Sequence, residues 1–495
     1  MLALILLSLQ IILLVYFCFF AYHIFRYSLA SLKKTDLAKV AIEKQKVAVV
    51  IVTYNEKEVI FNTIKACEKL SYPYKTIIVA DDSNDEKTYQ KLKQLAQKRG
   101  AIALENEKYL NQGQTAVFEA PDFVLFHRFK NIGFKAGSLK ELENYLSDHG
   151  YKYMYLLDSD WEPQIDALER CLEVILADHK IAYVQTKRSN CYGRWNFLQR
   201  CLALNEEGCY YVDLPGRQNT GDMILFTGCC TLFRLDYLIE AEGFQPGHLT
   251  EDIDLTNRYY LLGYKGAYRE DVNNIGEVPP HYPAYRRQQD RWTAGSARTF
   301  KDYFWPILKS PILSWREKIS LLRQNAYFTT SIAIELSIIC AIISLYLMTA
   351  NTDNYQAMLY QYYLNFIVGP YSILLVIALI ANFIPLIITV AKQKKWLNII
   401  FIPYATWLSW SLIHTYFIAN IKGLLGIKQG WALTPKTGGK KTNHPLRQSL
   451  IYKFANLVTL IILIVIYWIE WQNFGTIDIY AYFWIPALTV GTLMS

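Results

Sequence analysis

Long uncharged runs lie at the two ends of the chain and enclose a more polar centre. The first 25 positions contain no Lys, Arg, Asp or Glu, and Arg26 is the first charged residue. Such a run is longer than the roughly 20 apolar residues that a helix needs to cross a bilayer. It lacks the basic start and the small-residue cleavage site of a signal peptide, so we predict a retained transmembrane helix over residues 1–26.

Similar runs predict further transmembrane helices over residues 328–350, 366–391, 451–471 and 479–494. Residues 397–421 are also long enough to span, but two tryptophans and a histidine interrupt them. The stretch 422–453 that follows carries seven Lys and Arg and no acid. Basic loops favour the cytoplasm, and a crossing at 397–421 would place this loop outside. We therefore predict an interfacial helix over 397–421, with a sixth ordinary span as the alternative.

The same charge rule sets the orientation of the chain. The segment after the first helix contains Arg26, Lys33, Lys34 and Lys39, which favours a cytoplasmic centre and an amino terminus outside. We predict a multi-pass protein of the plasma (inner) membrane with a cytoplasmic catalytic region. Residues 301–327 are expected to form interfacial helices that connect this region to the later spans.

The centre, residues 46–300, alternates short apolar runs with polar helical stretches, which is typical of an α/β domain. Residues 47–53 and 76–80 are continuous β-branched runs of strand length, and residues 56–70 between them have helical character. We predict a βαβ unit, followed by another strand at residues 153–157. Neither a G-x-G-x-x-G turn nor a P-loop is present, which argues against a dinucleotide dehydrogenase and a Walker-type ATPase.

Composition narrows the class further. With 52% hydrophobic and 19% charged residues among 495, the chain is neither disordered nor collagenous nor a small disulfide scaffold. The net charge of +8 lies largely beside the predicted membrane segments and needs no nucleic acid to explain it. The nine cysteines lack the paired spacings of zinc sites and redox motifs, so we expect reduced thiols.

Polar residues follow the predicted strands, at the ends where open parallel sheets bind their ligands. They are Tyr54 and Glu56 after the first strand, Asp81 and Asp82 after the second, and Asp158 and Asp160 after the third. Two carboxylates one residue apart at a strand end suit Mg²⁺ or Mn²⁺ that also binds substrate phosphates. A solvated turn is the alternative for a D-x-D pattern taken alone.

Two acidic residues open a later predicted helix. Thr250 stands at a capping position, and Glu251 and Asp252 occupy the first turn. In one interpretation the acids only stabilise the helix start, where the backbone dipole favours negative charge. In the other, one of the carboxylates is a general base held beside the sheet edge.

A further helical motif is Q-x-x-R-W, formed by Gln288, Arg291 and Trp292. On a helix these side chains share one face because they are three and four residues apart. An indole can stack on a sugar ring and a guanidinium can neutralise a phosphate, so the face suits a phosphorylated sugar. The alternative is an interfacial helix with an aromatic anchor.

Taken in order along the chain, these motifs resemble the processive family 2 glycosyltransferases, the group of cellulose, chitin and hyaluronan synthases and cellulose-synthase-like enzymes. The resemblance runs from Val47 to Trp292 and extends to the membrane layout on both sides. It is strongest to a bacterial β-glucan synthase. It implies a glycosyltransferase A-type α/β fold, in which a mostly parallel, nucleotide-sugar-binding sheet forms a cytosolic domain joined to an α-helical transmembrane domain.

The resemblance also implies roles for individual residues. The donor would be bound by Thr53, Tyr54, Glu56, Asp81, Asp82, Lys135, Asp158 and Arg291, and Mg²⁺ or Mn²⁺ by Asp158 and Asp160. The general base would be Asp252 with Glu251 beside it, while Gln288, Arg291 and Trp292 would contact the pyrophosphate and the acceptor sugar. Cys229 and Cys230 would border the acceptor, although a Cys-Cys pair departs from the single small or Cys residue usual in cellulose synthases.

Residues 428–447 resemble the gating loop that closes over the bound nucleotide in cellulose-synthase-like enzymes, with Thr434 and Lys436 as its donor contacts. A glycine- and lysine-rich segment can reach an anionic diphosphate and exclude water when it closes. It can do so only from the cytoplasm, which agrees with the interfacial helix predicted over 397–421. A polybasic, lipid-facing loop is the alternative.

The activity implied is processive and inverting, with a β-glucan polymerised from UDP-glucose on the cytosolic side and passed through the enzyme's own transmembrane channel. Synthesis of hyaluronan, chitin or mannan, and non-processive transfer to a lipid acceptor, are alternatives. A transporter with a regulatory domain is another, but it gives no reason for acidic motifs at successive strand ends. The implied partners are a UDP-sugar, the growing polysaccharide and the bilayer, without nucleic acid; a homo-oligomer or accessory secretion subunits are left open.

Overall fold

The computed structural model describes residues 2–56, 58–104, 114–190, 196–336, 369–427 and 450–474, with the isolated helical residues 339, 485–486, 488–489 and 492. The predicted gating loop at 428–447, including Thr434 and Lys436, lies outside these residues. Most of the predicted spans at 328–350 and 479–494 lie outside them as well. The predictions for those segments remain predictions.

Nine strands form one mixed sheet in the described part of the chain. In chain order they are β1 (Val47–Thr53), β2 (Lys75–Asp81), β3 (Ile102–Ala103), β4 (Thr115–Glu119), β5 (Phe123–Arg128), β6 (Tyr153–Asp158), β7 (Ile181–Asn190), β8 (Thr231–Arg234) and β9 (Lys265–Gly276). Their order across the sheet is β3-β4-β5-β2-β1-β6-β8-β7-β9. The central strands β5, β2, β1 and β6 are parallel, as are β7 and β9, whereas β3, β4 and β8 introduce antiparallel pairings.

The central strand β1 shows why a continuous apolar run forms a strand here. Successive side chains of a strand point to opposite faces of the sheet. Val47, Val49 and Ile51 pack into one hydrophobic core, and Ala48 and Val50 pack into the other. All five have 0% of their surface exposed. A parallel strand that is covered on both faces needs apolar residues at every position.

Helices cover both faces of the sheet and extend beyond it. They are α1 (Leu2–Ser31), α2 (Val59–Glu68), α3 (Glu86–Lys98), α4 (Phe134–Asp148), α5 (Ala167–Ile175), α6 (Phe197–Gly208), α7 (Leu214–Thr220), α8 (Leu235–Glu240), α9 (Glu251–Leu261), α10 (Tyr282–Lys309), α11 (Trp315–Asn325), α12 (Gly369–Gln393), α13 (Ile402–Trp410), α14 (Ile413–Leu425) and α15 (Leu450–Phe474). A π-helical turn, Cys209–Asp213, joins α6 to α7. Buried side chains of α2, α3 and α5 pack on one face of the sheet, and those of α4, α8 and α9 pack on the other.

The predicted βαβ unit is present in the structure. β1 has the predicted bounds. β2 is one residue longer than predicted at each end, and β6 is one residue longer at its carboxyl end. α2 is shorter than the predicted 56–70. The other six strands are not predicted from the sequence, and one of them is the four-residue antiparallel strand β8. It inserts between β6 and β7 and makes the sheet mixed.

α1 corresponds to the apolar run at the start of the sequence. Its segment Ile11–Ser31 is long and apolar enough to cross a membrane by length and composition. Among the described residues, a second such candidate arises only if Trp396–Trp410 and Ile413–Leu425 are counted as one span across their 43° bend. A multi-pass transmembrane domain is therefore not confirmed. The bend agrees with both a broken span and a re-entrant helix in the region predicted to be interfacial.

A buried carboxylate anchors α1 to the sheet domain. Asp222 accepts hydrogen bonds from Arg26 Nη1 at 2.6 Å, from Tyr27 Oη at 2.8 Å and from Arg316 Nε at 2.8 Å. Only 2% of the Asp222 side chain is exposed. Gly216 in α7 permits the close approach of α1, because a β-carbon at this position would overlap the backbone of Tyr27. The amino-terminal helix is thus held against the sheet domain by both charge and packing.

Substituting Gly216→Ala tests this close approach. We expect the added methyl group to separate α1 from α7 and to lower the free energy of unfolding by about 1–3 kcal/mol, the usual cost of overpacking. Denaturant midpoints of the detergent-solubilised protein would measure the loss. Gly208→Ala is the matched control, because a β-carbon there meets only Leu386, at an ordinary 3.8 Å. Equal losses in the two variants, or no loss in Gly216→Ala, would contradict the packing described.

Candidate active site

A cleft opens at the carboxyl ends of the central strands. Parallel pairing sets Thr53 opposite Asp81 and Val52 opposite Asp158, so the residues that follow these strands meet at one edge of the sheet. Most of the predicted site residues line this cleft: Thr53, Tyr54, Glu56, Asp82, Lys135, Asp158, Asp160, Glu251, Asp252, Gln288, Arg291 and Trp292. The fold thus brings together motifs that are far apart in the sequence.

Hydrogen bonds fix the turn that follows β1. Asn55 has a left-handed backbone, with φ of 56°, and its side-chain oxygen accepts a hydrogen bond from the Asn84 backbone N–H at 3.1 Å. Glu56 accepts hydrogen bonds from Thr53 Oγ1 at 3.3 Å and from the Ser159 hydroxyl group. The turn therefore joins the ends of β1, β2 and β6.

Of the two aspartates at the end of β2, only Asp82 lines the cleft. It accepts hydrogen bonds from Arg128 Nε at 2.8 Å, from Arg128 Nη2 at 2.6 Å and from Ser138 Oγ at 3.1 Å. Burial raises the pKa of Asp82, and the Arg128 guanidinium opposes that rise. Asp81 is fully buried, with its Oδ2 2.8 Å from His127 Nδ1, and has no surface for a nucleotide. The structure therefore places Asp81 outside the predicted donor site.

Lys135 projects into the cleft from the first turn of α4. Its Nζ lies 2.6 Å from Asp158 Oδ1, 2.7 Å from the carbonyl oxygen of Gly228 and 3.9 Å from Glu251 Oε1. Burial by itself would lower the pKa of Lys135, but the carboxylates of Asp158 and Glu251 raise it above its ordinary value. The ammonium group is therefore charged at neutral pH.

Asp158 and Asp160, the carboxylates predicted to bind a divalent metal ion, both line the cleft. Within the residues that the structure describes, no group of three or more His, Cys, Asp or Glu side chains forms a ready-made metal site. Mg²⁺ at phosphate-binding sites usually takes only one or two carboxylates and completes its shell with phosphate and water oxygens. The two aspartates therefore fit an ion that arrives with a phosphorylated substrate.

The T-E-D motif lies at the start of α9, as predicted. The Thr250 side chain makes no capping hydrogen bond, and its hydroxyl oxygen lies 3.3 Å from that of Thr299 instead. Asp252 Oδ1 accepts a hydrogen bond from the Ile253 backbone N–H at 2.9 Å. Burial and the neighbouring Glu251 raise the pKa of Asp252 to about 7. A carboxyl group that ionises near neutral pH is suited to act as a general base.

The Q-x-x-R-W residues Gln288, Arg291 and Trp292 line the cleft from α10. Burial lowers the pKa of Arg291, and the carboxylates of Glu251 and Asp252 oppose that change. α10 also packs along α14, the second half of the bent helix pair. The cleft is therefore separated from the apolar helices by the width of a single helix.

The predicted acceptor residues Cys229 and Cys230 do not face the cleft. Both have 0% of their surface exposed and belong to a hydrophobic core of the sheet. The chain turns at Gly228, with φ of 91°, and this turn presents Thr227 and Gly228 to the cleft instead. A direct contact between either thiol and a sugar needs an exposed sulfur atom, which neither cysteine has.

Several lining residues are not selected by sequence reasoning: Asn131, Trp161, Arg188, Glu206, Leu249, Glu277, Val278 and Pro279. Arg188 lies near the carboxyl end of β7, where the rule of ligand binding at strand ends applies once the strand is recognised. Trp161 directly follows the D-S-D motif. Glu206 lies inside α6, and no motif in the sequence marks it as a site residue.

A mixed sheet with a parallel centre and an acidic cleft at its strand ends is the architecture of an A-type glycosyltransferase. The profile of "Glycosyl transferase family group 2" matches residues 153–419, and that of "Glycosyl transferase family 2" matches residues 48–241. The first match covers more than half of the chain. The chain therefore belongs to glycosyl transferase family group 2, and the prediction of a sugar-transferring enzyme is confirmed.

Similar curated proteins come from plants. "Probable glucomannan 4-beta-mannosyltransferase 14" of Arabidopsis thaliana is 33% identical over 298 residues, which cover 59% of this chain and 52% of the relative. "Glucomannan 4-beta-mannosyltransferase 7" of the same species is 30% identical, with 59% and 50% covered. The chain thus spans about half the length of the curated relatives it matches. Among solved structures, "Mannosyltransferase PcManGT from Pyrobaculum calidifontis in complex with GDP-Man and Mn2+" is 17% identical at a TM-score of 0.48, with 80% of this chain and 99% of that chain covered.

The raised pKa of Asp252 predicts the pH dependence of transfer. A general base acts in its ionised form, so we expect kcat/KM to fall as the pH drops through about 7. The Asp252→Asn variant should still bind the nucleotide-sugar and should lose transfer by several orders of magnitude. A pH–rate series with a labelled donor, together with a donor-binding titration of the variant, would measure both effects. Unchanged turnover in Asp252→Asn would exclude this residue as the base.

The Glu251→Gln variant gives a second, independent test of the same carboxyl pair. Removing the negative charge of Glu251 should lower the pKa of Asp252, because that charge is one of the two causes that raise it. The acid limb of the kcat/KM profile should therefore move to lower pH. An acid limb that stays in place would show that a group other than Asp252 controls it.

Proposed function

We propose that this chain is an inverting hexosyltransferase that extends a β-linked mannan or glucomannan from a nucleotide-sugar donor. The transfer chemistry is supported by one observation above all: Asp252, Lys135, Arg291 and the carboxylates of the D-x-D motif line the same cleft. The choice of sugar is supported by relatives that are named glucomannan 4-beta-mannosyltransferases.

The proposal replaces the β-glucan and UDP-glucose predicted from the sequence. Those predictions rested on a resemblance to bacterial β-glucan synthases, whereas the curated relatives are mannosyltransferases. A mannan-type product is one of the alternatives that the sequence left open. The acidic motifs and the Q-x-x-R-W serve the transfer of either sugar, so they do not distinguish mannose from glucose.

In the proposed mechanism the nucleotide lies against Thr53, Tyr54 and Glu56 at the end of β1. The diphosphate lies between the Lys135 ammonium and the Arg291 guanidinium, both of which face the cleft. Two fixed positive charges in a largely buried site stabilise the negative charge that develops on the leaving diphosphate. A divalent ion held by Asp158 and Asp160 would add positive charge to the diphosphate when bound.

Asp252 is the proposed general base. Its carboxylate takes the proton from the acceptor hydroxyl group, and the oxygen of that group attacks the anomeric carbon from the face opposite the diphosphate. The new glycosidic bond forms as the bond to the diphosphate breaks, so the configuration at the anomeric carbon inverts. Trp292 and Gln288 line the cleft from α10 together with Arg291 and would position the acceptor sugar.

Processive elongation and passage of the product through the chain's own membrane helices are further parts of the proposal. The packing of α10 along α14 supports them, since a polymer leaving the cleft would meet the apolar helices at once. Closure of the 428–447 segment over the nucleotide, with Thr434 and Lys436 as contacts, belongs to the same proposal. It rests on the sequence resemblance alone.

The donor chemistry predicts a requirement for a divalent cation. We expect excess EDTA to abolish transfer and Mn²⁺ or Mg²⁺ to restore it, because two carboxylates and the diphosphate would share the ion. The Asp160→Asn variant should need a higher metal concentration for half-maximal rate than the unmodified chain. Initial rates across a metal titration would measure this shift. Full activity in excess chelator would contradict a metal-dependent donor site.

Product analysis tests the choice of sugar. The purified chain would be given labelled GDP-mannose, GDP-glucose or UDP-glucose with a β-linked manno-oligosaccharide, and the product would be digested with endo-β-mannanase or endo-β-glucanase. We expect a polymer from the mannose donor that the mannanase degrades. A polymer made from UDP-glucose alone and degraded only by the glucanase would overturn the mannan assignment. Label recovered only in extracted lipid would point to a non-processive transferase.

A further inference from the structure

An arginine–glutamate pair lies on the side of the cleft away from the proposed nucleotide site. Arg188 comes from β7 and Glu206 from α6, and Arg188 Nη2 lies 3.3 Å from Glu206 Oε1. Both residues line the cleft, although only 11% of the Arg188 side chain and 22% of the Glu206 side chain are exposed. What remains exposed of this largely buried pair is therefore available to a ligand in the cleft.

The guanidinium group of Arg188 is held in one orientation. Its carbon lies 4.9 Å from the centre of the Trp161 ring and 4.7 Å from that of Tyr210. Its Nη1 donates a hydrogen bond to Cys229 Sγ at 3.1 Å, while its buried Nε has no hydrogen-bond partner among the described residues. A planar cation fixed by two rings has little rotamer freedom left to lose when a ligand binds.

The sheet order separates this pair from the nucleotide site. β2 and β1, which carry Asp82 and Thr53, lie on one side of β6, while β8, β7 and β9 lie on the other. Asp158 and Asp160, at the end of β6, stand between the two halves. Arg188 therefore lies on the other side of β6 from the strands that carry the proposed nucleotide site, and Glu206 is paired with it.

Stability alone is a poor explanation for such a pair. A largely buried ion pair is often no more stabilising than apolar residues of the same size, because removing two charges from water is costly. An unpaired buried N–H adds to that cost. The desolvation cost of the pair is reduced if a ligand with hydroxyl groups bonds to the atoms that remain exposed, since a hydroxyl group can donate to a carboxylate and accept from a guanidinium.

We propose that Arg188 and Glu206 form a subsite that recognises hydroxyl groups of the acceptor hexose. This inference rests on the proposed function, because it assumes a carbohydrate acceptor. It assigns to Arg188 and Glu206 the acceptor contact that the sequence assigned to Cys229 and Cys230. Cys229 keeps an indirect part as a hydrogen-bond acceptor that orients Arg188.

The test compares Glu206→Gln and Arg188→Lys with the unmodified full-length chain in detergent. Each variant should raise the KM for a β-linked manno-oligosaccharide by about tenfold, the effect of losing one hydrogen bond to a charged group. The KM for the nucleotide-sugar and the rate of its hydrolysis by water should not change, since neither depends on the acceptor. Arg170→Lys is the matched control, because Arg170 pairs with Asp166 and Asp271 and does not line the cleft.

Two results would overturn the subsite: an unchanged acceptor KM in Glu206→Gln, or a donor KM that rises as much as the acceptor KM. Glu206→Gln keeps the shape of the side chain and decides the question alone if Arg188→Lys fails to fold. Direct titration of the oligosaccharide separates this inference from the proposed function. If the unmodified chain binds the oligosaccharide without extending it and Glu206→Gln loses the binding, the subsite stands and the proposed function fails. If the unmodified chain does not bind it at all, both fail.

Discussion

The parallel, in-register pairing of β1 with β2 and β6 is the constraint on which the site depends. It sets Thr53 beside Asp81 and Val52 beside Asp158, so the turns that follow the three strands leave the sheet at one edge. Glu56 then joins the first and third turns through the hydroxyl groups of Thr53 and Ser159. A shift of the register by one residue would turn every side chain of a strand to the opposite face and separate these groups.

The charge balance of the cleft explains how its residues ionise. Eight acidic side chains line it but only three basic ones, Lys135, Arg188 and Arg291. In such surroundings the pKa of a lysine and the pKa of a buried carboxyl group both rise, as they do at Lys135 and Asp252. In the proposed mechanism a negatively charged diphosphate enters this cleft at an electrostatic cost, and a divalent cation bound with it would reduce that cost. Burial, together with the neighbouring acid Glu251, raises the pKa of Asp252 to about 7.

In the proposed mechanism, recognition of the sugar depends on different residues from those that perform the transfer. The acidic motifs and the Q-x-x-R-W would bind the diphosphate and take the proton, and these groups are the same for every hexose. The hydroxyl groups that distinguish one hexose from another would meet the Arg188 and Glu206 pair, which also lines the cleft. With this proposed separation, one set of transfer residues serves donors of either sugar, so the motifs are compatible with curated relatives that are named mannosyltransferases.

The local pattern of residues by itself determined the βαβ unit, the acidic strand ends and the single face of Q-x-x-R-W, because strand burial and helix periodicity depend on neighbours in the chain. Only the tertiary structure decided which of Asp81 and Asp82 reaches the cleft, because that depends on how Arg128 and His127 of a neighbouring strand pair with them. Tertiary structure also decided the burial of Cys229, which depends on the turn before the short antiparallel β8. It likewise decided that Glu206 lines the cleft, which depends on how α6 packs. Contacts between residues that are distant in the sequence produce no periodic pattern of residues. These contacts determine which side chains are exposed to a ligand.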